Sequence, residues 1–153
     1  MQIIELDPES EDVLALIEDI DALMHSLYPA ESNQLLSIEE LKGKDVHFIG
    51  IKKDNDVLGC GALVRKNNDG VYGELKRIYV KPECRGQGIS RSIVSALIHY
   101  ARQEVLPFIR LETGIKQMEA IYLYESLGFK KRREFGSYVH DPLSIYMELS
   151  IER

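Results

Sequence analysis

The stretch from Glu74 to Arg91, ELKRIYVKPECRGQGISR, constrains the fold more than any other part of the chain. Leu75, Ile78, Tyr79 and Val80 form a β-rich run, which Pro82 ends because it has no N–H to give to a sheet ladder. Arg85-Gly86-Gln87-Gly88 follows, and an apolar pattern of helical period starts at Ile89. The two glycines permit positive φ and a close approach of the backbone to a ligand. The amides of Gln87, Gly88, Ile89, Ser90 and Arg91 then converge at the positive end of a helix dipole. A strand, a tight basic turn and a helix start in that order make an anion site, most naturally for phosphate.

Around this unit the chain alternates short elements. Gln2 to Leu6 reads as a strand. Asp7-Pro8 reads as the start of a helix whose apolar face is Val13, Ile17, Ile20, Met24 and Leu27. Ser37-x-x-Glu40 has the form of a capping box on a second, short helix. Val46 to Ile51, Val57 to Val64 and Val71 to Val80 read as three antiparallel strands joined by Asp54-Asn55-Asp56 and Asn67-Asn68-Asp69-Gly70. Ile89, Ile93, Leu97 and Tyr100 line a crossover helix, so the strand Pro107 to Thr113 is expected parallel to the one ending at Val80. A helix over 117–127 capped by Gly128, then strands over 129–133 and 144–149, complete the order β-α-α-β-β-β-α-β-α-β-β. The fold class is α/β (α+β), a mixed, mostly antiparallel sheet flanked by helices.

Composition narrows the function classes. The chain has 153 residues, 44% of them hydrophobic, and suits one domain over 1–153 with a real core. A net charge of −6 argues against nucleic-acid binding, which needs basic surface. No apolar run spans a membrane, and MQIIELDPES is no secretion signal. Cys60 and Cys84 stand singly, with no disulfide framework, so a reducing cytoplasm is expected. His25, His47, His99 and His140 lack metal-ligand spacing, and no metal is expected. Gly86-x-Gly88 follows a strand and precedes a helix, as in a dinucleotide fingerprint, but the third glycine is replaced by Arg91. A nucleotide-dependent oxidoreductase therefore stands only as an alternative.

Arg85-Gly86-Gln87-Gly88-Ile89-Ser90 resembles the Arg/Gln-x-x-Gly-x-Gly/Ala motif of the GNAT N-acetyltransferases, with Ser90 at the last small position. Gln117-x-x-Ala120-x-x-Leu123-Tyr124-Glu125-x-x-Gly128-Phe129 is similar to that family's Asn-x-x-Ala-x-x-Leu-Tyr-Glu-x-x-Gly-Phe segment, with Gln117 in place of Asn. The element order is also that of the GNAT fold, so the resemblance covers nearly the whole chain. It implies that the amides after Arg85 hold the pyrophosphate of acetyl-CoA. It implies further that Ile78, Tyr79 and Val80 offer backbone groups to the pantetheine arm as the strands ending at Val80 and Thr113 splay apart. Gln117 would bind pantetheine or the phosphates through its amide, and Tyr124 would support the departing thiolate.

The chemistry sets two demands. A thiol of pKa near 8.5 and a phenol near 10 make full proton transfer from Tyr124 uphill by roughly 2 kcal/mol, so a hydrogen bond that strengthens as charge develops is expected. A lysine-like amine of pKa near 10.4 costs about 4.6 kcal/mol to deprotonate at pH 7, which calls for a base. Glu74 sits where the histone-acetyltransferase branch of the family places a glutamate base, and strand alternation puts Glu74, Lys76, Ile78 and Val80 on one face. The alternatives are that Glu74 pairs with Lys76 or Arg77 or orders a water, and that Glu112 is the base. Tyr28, Glu31, Arg77, Glu112, Tyr138 and Asp141 are the expected acceptor-side residues, suited to a small polar amine such as an amino acid or a peptide-like molecule. Cys84 adjoins the anion turn without a partner histidine, so direct transfer in a ternary complex is expected. The rival is a catalytically silent CoA-binding sensor. An exposed strand edge near the C-terminus could support a homodimer.

Overall fold

The computed structural model describes residues 1–29 and 36–151. Its seven strands form one sheet in the order β1-β2-β3-β4-β5-β7-β6, with β1 Gln2–Glu5, β2 Val46–Lys53, β3 Asp56–Lys66, β4 Tyr72–Val80, β5 Phe108–Gly114, β6 Lys130–Arg132 and β7 Ser144–Ser150. Every neighbouring pair is antiparallel except β4 and β5, which the crossover helix α3 (Ile89–Gln103) makes parallel. Helices α1 (Glu11–Leu27), α2 (Ile38–Leu41) and α4 (Met118–Ser126) complete the chain. The fold class and the element order are those read from the sequence.

Two apolar layers hold the sheet. On one face α3 buries Ile89, Ile93, Val94 and Leu97 against Leu75, Val80, Ile109 and Leu111. On the other face α1 buries Val13, Leu16, Ile17 and Ile20 against Phe48, Cys60, Ala62 and Tyr79. The α1 start differs from the sequence reading. Asp7-Pro8-Glu9-Ser10 closes as a turn, with the Ser10 amide donating to the Asp7 carbonyl at 3.1 Å, and Ser10 becomes the N-cap. Proline is as well suited to the second position of such a turn as to a first helical residue, and the turn wins here. The capping box on α2 forms as expected, with Glu40 N–H on Ser37 Oγ and Ser37 N–H on Glu40 Oε1, both at 3.1 Å.

A second correction bears on the site. Cys60 pairs with Tyr79 and Ala62 pairs with Lys76, so two steps along β3 face three along β4. Arg77 takes up the extra residue in the left-handed region, at φ 60. This bulge breaks the expected alternation of Glu74, Lys76, Ile78 and Val80 onto one face. Leu75, Ile78 and Val80 meet the α3 layer, whereas Tyr79 meets the α1 layer. Glu74 and Lys76 lie on the side of the aromatic cluster of Tyr72, Phe135, Tyr138 and Tyr146. A bulge costs ladder pairing at one point and re-aims the side chains beyond it.

β4 and β5 stay paired only at Gly73–Ile109, Glu74–Arg110 and Leu75–Leu111. Beyond Leu75 and Leu111 the strands part, and the sheet is forked. The fork is the feature around which the site is built.

Candidate active site

A cleft of about 730 Å³ fills the fork. Its walls are the unpaired edge of β4 from Lys76 to Val80, the end of β5 at Glu112 and Thr113, the start of α3, one side of α4, and the apolar face of α1. All the expected cofactor residues line it except Gln87, namely Ile78, Tyr79, Val80, Arg85, Gly86, Gly88, Ile89, Ser90, Arg91 and Gln117.

At one end the chain leaves β4 through a short 3-10 turn, Pro82–Cys84, and enters α3 with Gly86 at φ 81 and Gly88 at φ 77. Gly88 is the N-cap, in the left-handed region that L side chains avoid, and the space beside both glycines is open. The turn therefore needs glycine for its backbone shape alone. Helix geometry leaves the first-turn amides, Ile89 to Arg91, without intrahelical acceptors, aimed along a positive dipole. Arg85 folds back, its Nε donating to the Val80 carbonyl at 3.1 Å, and so ties the turn to the strand end. Arg91 donates to Ser126 Oγ at 2.6 Å, linking α3 to α4. These amides and the open strand edge match a diphosphate and an extended amide-bearing arm, the groups an acyl-CoA carries.

Tyr124 lines the middle of the cleft, 5% exposed, edge-on to Phe129 with ring centres 5.6 Å apart. Burial holds its phenol well above the ordinary tyrosine value. Gln117 caps the turn before α4, its Oε1 accepting the Gly114 amide at 3.1 Å. Its oxygen is thus committed to the protein, and only its nitrogen end is left for a ligand.

The two carboxylates considered as bases are placed differently. Glu74 is 0% exposed and does not line the cleft. Tyr138 O–H donates to its Oε2 at 2.6 Å, Lys76 Nζ lies 3.5 Å from the same oxygen, and Lys66 Nζ lies 2.9 Å from Oε1. Glu112, half-buried at the end of β5, does line the cleft. Ser144 Oγ donates to its Oε2 at 2.7 Å. Burial raises its pKa, against the lowering effect of the Ser144 hydrogen bond and of nearby Lys76. A carboxyl pushed toward neutrality and facing a cleft is a good proton acceptor.

The other acceptor-side expectations divide. Arg77 reaches the cleft, but its guanidinium is committed elsewhere, donating from Nε and Nη2 to the Leu36 carbonyl at 2.9 and 2.6 Å and from Nη1 to Asp21 at 2.5 Å. Tyr28 is a buried clasp at the cleft's end, its oxygen accepting the Lys116 amide at 3.1 Å, and is not part of the lining. Tyr138 stands behind Lys76, and Asp141 caps its own turn by accepting the Leu143 amide at 2.9 Å. Glu31 lies outside the described residues. Sequence reasoning missed Lys76 and Lys116 as lining residues and Ser144 as the partner of Glu112. Lys76 carried a signal, two residues after Glu74 on a strand, but the parting of β4 from β5 just beyond Leu75, which opens the cleft beside it, carried none.

With this geometry in hand, comparison with known proteins is decisive. The sequence model of the acetyltransferase (GNAT) family matches residues 13–129. The chain belongs to that family. It is 41% identical over 141 residues, 92% of each chain, to an IAA acetyltransferase of Azospirillum brasilense. A putative acyl-CoA N-acyltransferase of Klebsiella pneumoniae shares the structure at a TM-score of 0.82 and 34% identity, over 99% of this chain and 97% of that one. The PaiA N-acetyltransferase of Thermoplasma acidophilum, solved in complex with coenzyme A, shares the fold at a TM-score of 0.72 and 22% identity, over 98% of this chain and 99% of that one. This GNAT protein is an acetyl-CoA-dependent acetyltransferase. The forked sheet and the α3 entry turn are the parts of its fold that suit that donor. Among the described residues no helix is long and apolar enough to cross a membrane.

Proposed function

We infer that this chain, working as one domain, transfers the acetyl group of acetyl-CoA to a primary amine of a small molecule, directly and in a ternary complex. The observation that carries the reading is the fork itself, which places Glu112 and Tyr124 on the lining of one cleft that ends at the α3 amides. Acetyl-CoA supplies a thioester whose carbonyl a neutral amine can attack, the C–N bond forming as the C–S bond breaks. The amides of Ile89 to Arg91 hold the diphosphate, and the unpaired edge of β4 accepts and donates along the pantetheine arm. Glu112 takes the proton of the incoming amine, and its raised pKa brings the carboxyl closer to the amine in proton affinity. Tyr124 aims its O–H at the leaving sulfur. Because burial makes the phenol a weaker acid than usual, it acts as a hydrogen-bond donor that strengthens with developing charge. Cys60 is fully buried with its thiol pushed up to about 12, so it offers no thiolate carrier.

The test is acetyl-CoA turnover with a panel of amines, followed by thiol release, in the parent and in Tyr124→Phe. Loss of one hydrogen bond to a developing charge predicts a fall in kcat of roughly 10- to 100-fold with CoA affinity kept within about twofold. A Tyr124→Phe protein with parental kcat removes Tyr124 from the mechanism. CoA binding with no turnover on any amine points to the sensor instead.

A further inference from the structure

The sheet divides the cleft into two sides. Tyr124 belongs to the apolar layer that α3 builds on one face, where the amides of Ile89 to Arg91 begin the helix. On β5, Ile109 and Leu111 enter that layer, so alternation turns Glu112 to the opposite face. Tyr146, paired with Glu112 across the ladder, points the same way, since it belongs to the aromatic cluster on that second face. α1 packs on the second face too. On the transferase reading the thioester lies in the fork, and the amine meets it from the side of Glu112 and α1.

Two properties of that side describe its ligand. The α1 wall is apolar, with Leu23, Met24 and Leu27 half-buried along the cleft. Leu27 joins none of the apolar clusters formed by the described residues, so its side chain is turned to the cleft and not to the core. The cations, by contrast, are engaged. Lys76 Nζ donates to the Tyr138 hydroxyl at 2.7 Å, stands 3.5 Å from Glu74 and feels the charge of Glu112 as well. The Arg77 guanidinium holds Asp21 and the Leu36 carbonyl. Lys116 Nζ donates at 3.1 Å to the carbonyl of Leu27, the last residue of α1, at the negative end of that helix dipole. A ligand carboxylate would have to compete with these partners, whereas a hydrocarbon body gains by covering Leu27.

We propose that the acceptor is an amine with an apolar body and no anionic group, its nitrogen at Glu112 and its body against Leu23, Met24 and Leu27 of α1. The proposal rests on the transferase reading above and deepens it. Leu27 is then a specificity-determining residue. An apolar pocket discriminates by roughly tenfold or more for a single methylene, so tenfold is a low bar for a whole hydrocarbon body.

The experiment follows thiol release from acetyl-CoA with 3-methylbutylamine and 2-phenylethylamine, with leucine and phenylalanine as their carboxylated counterparts, and with ethanolamine as a small polar amine. At least one of the two apolar amines is expected to exceed both its own amino acid and ethanolamine in kcat/KM by about tenfold or more. Leu27→Asn is expected to shrink that ratio at least threefold, through KM for the apolar amine more than through kcat, with CoA affinity by calorimetry kept within about twofold. A parent protein that turns over both amino acids, or ethanolamine, as well as the apolar amines overturns the proposal and leaves the transferase reading standing. So does a Leu27→Asn protein that binds CoA and keeps the parental ratio. Absence of turnover throughout, with acetyl-CoA binding confirmed by calorimetry, removes both.

Discussion

Gly114→Ala is the substitution on which the geometry of the cleft makes its sharpest demand. Gly114 ends β5, where a residue with a side chain is normally better than glycine by about 0.5–1 kcal/mol. Here a Cβ would land inside the van der Waals envelope of the Tyr28 Oη and Cζ atoms, with Cε1 at 2.7 Å. No small adjustment clears the hydroxyl and two ring atoms together, so the Tyr28 side chain must leave its site. Tyr28 is 6% exposed and its oxygen accepts the Lys116 amide at 3.1 Å. Truncating a buried aromatic to alanine costs roughly 3–5 kcal/mol, which bounds the price of eviction from above. The expected cost of Gly114→Ala is therefore about 2–4 kcal/mol, or a fall in Tm of roughly 5–15 °C for a domain of this size. The decisive assay is a double-mutant cycle by urea denaturation at constant m. In a Tyr28→Ala background the added methyl has room, and Gly114→Ala is expected to be neutral or to stabilise by about 0.5 kcal/mol. If it costs the same in both backgrounds, the packing of α1's end onto β5 is wrong, and with it the closed end of the acceptor cleft.

Three further outcomes follow from single contacts. Glu112 must be ionised to accept a proton, and burial lifts its pKa above the ordinary carboxylate range. The rate kcat/KM should therefore fall as pH drops through that raised value, and Glu112→Gln should lose this limb together with roughly 10²–10⁴ in rate. A Glu112→Gln profile identical to the parent's would exclude the role. Gly88→Val places a β-branched residue at φ 77 and should weaken CoA binding at least tenfold in calorimetry. The same change leaving CoA affinity intact would show that the α3 entry turn is not the anchor. Val105, exposed and at φ 58, ends α3 with its neighbour's amide on the Ala101 carbonyl at 3.0 Å. This is a helix-ending turn that favours glycine. Val105→Gly should raise stability by about 0.5–1 kcal/mol and leave turnover untouched, and a lower Tm would contradict the assigned turn.

Much of this protein was legible before any coordinates. Local chemistry marks its own place in a chain. Gly86 and Gly88 declare a turn because few other residues accept positive φ, Pro82 declares a strand end, and Ser37 with Glu40 declares a helix start. Period alone separated α3 from the strands on either side, and the crossover then required β4 and β5 to be parallel. What the linear order left open was decided by contacts between distant residues. Nothing near Arg77 announces a bulge, and the partners of its guanidinium, Asp21 and the Leu36 carbonyl, lie 56 and 41 positions away in sequence. That one inserted residue determines that Ile78 and Val80 turn to the α3 layer, opposite the face on which Lys76 stands. Likewise Glu74 and Glu112 are indistinguishable as strand carboxylates until the aromatic loop closes over one and Ser144 steadies the other. Side-chain identity sets which chemistry a chain can offer, while burial and charge pairing, which only packing supplies, determine which group is free to use it.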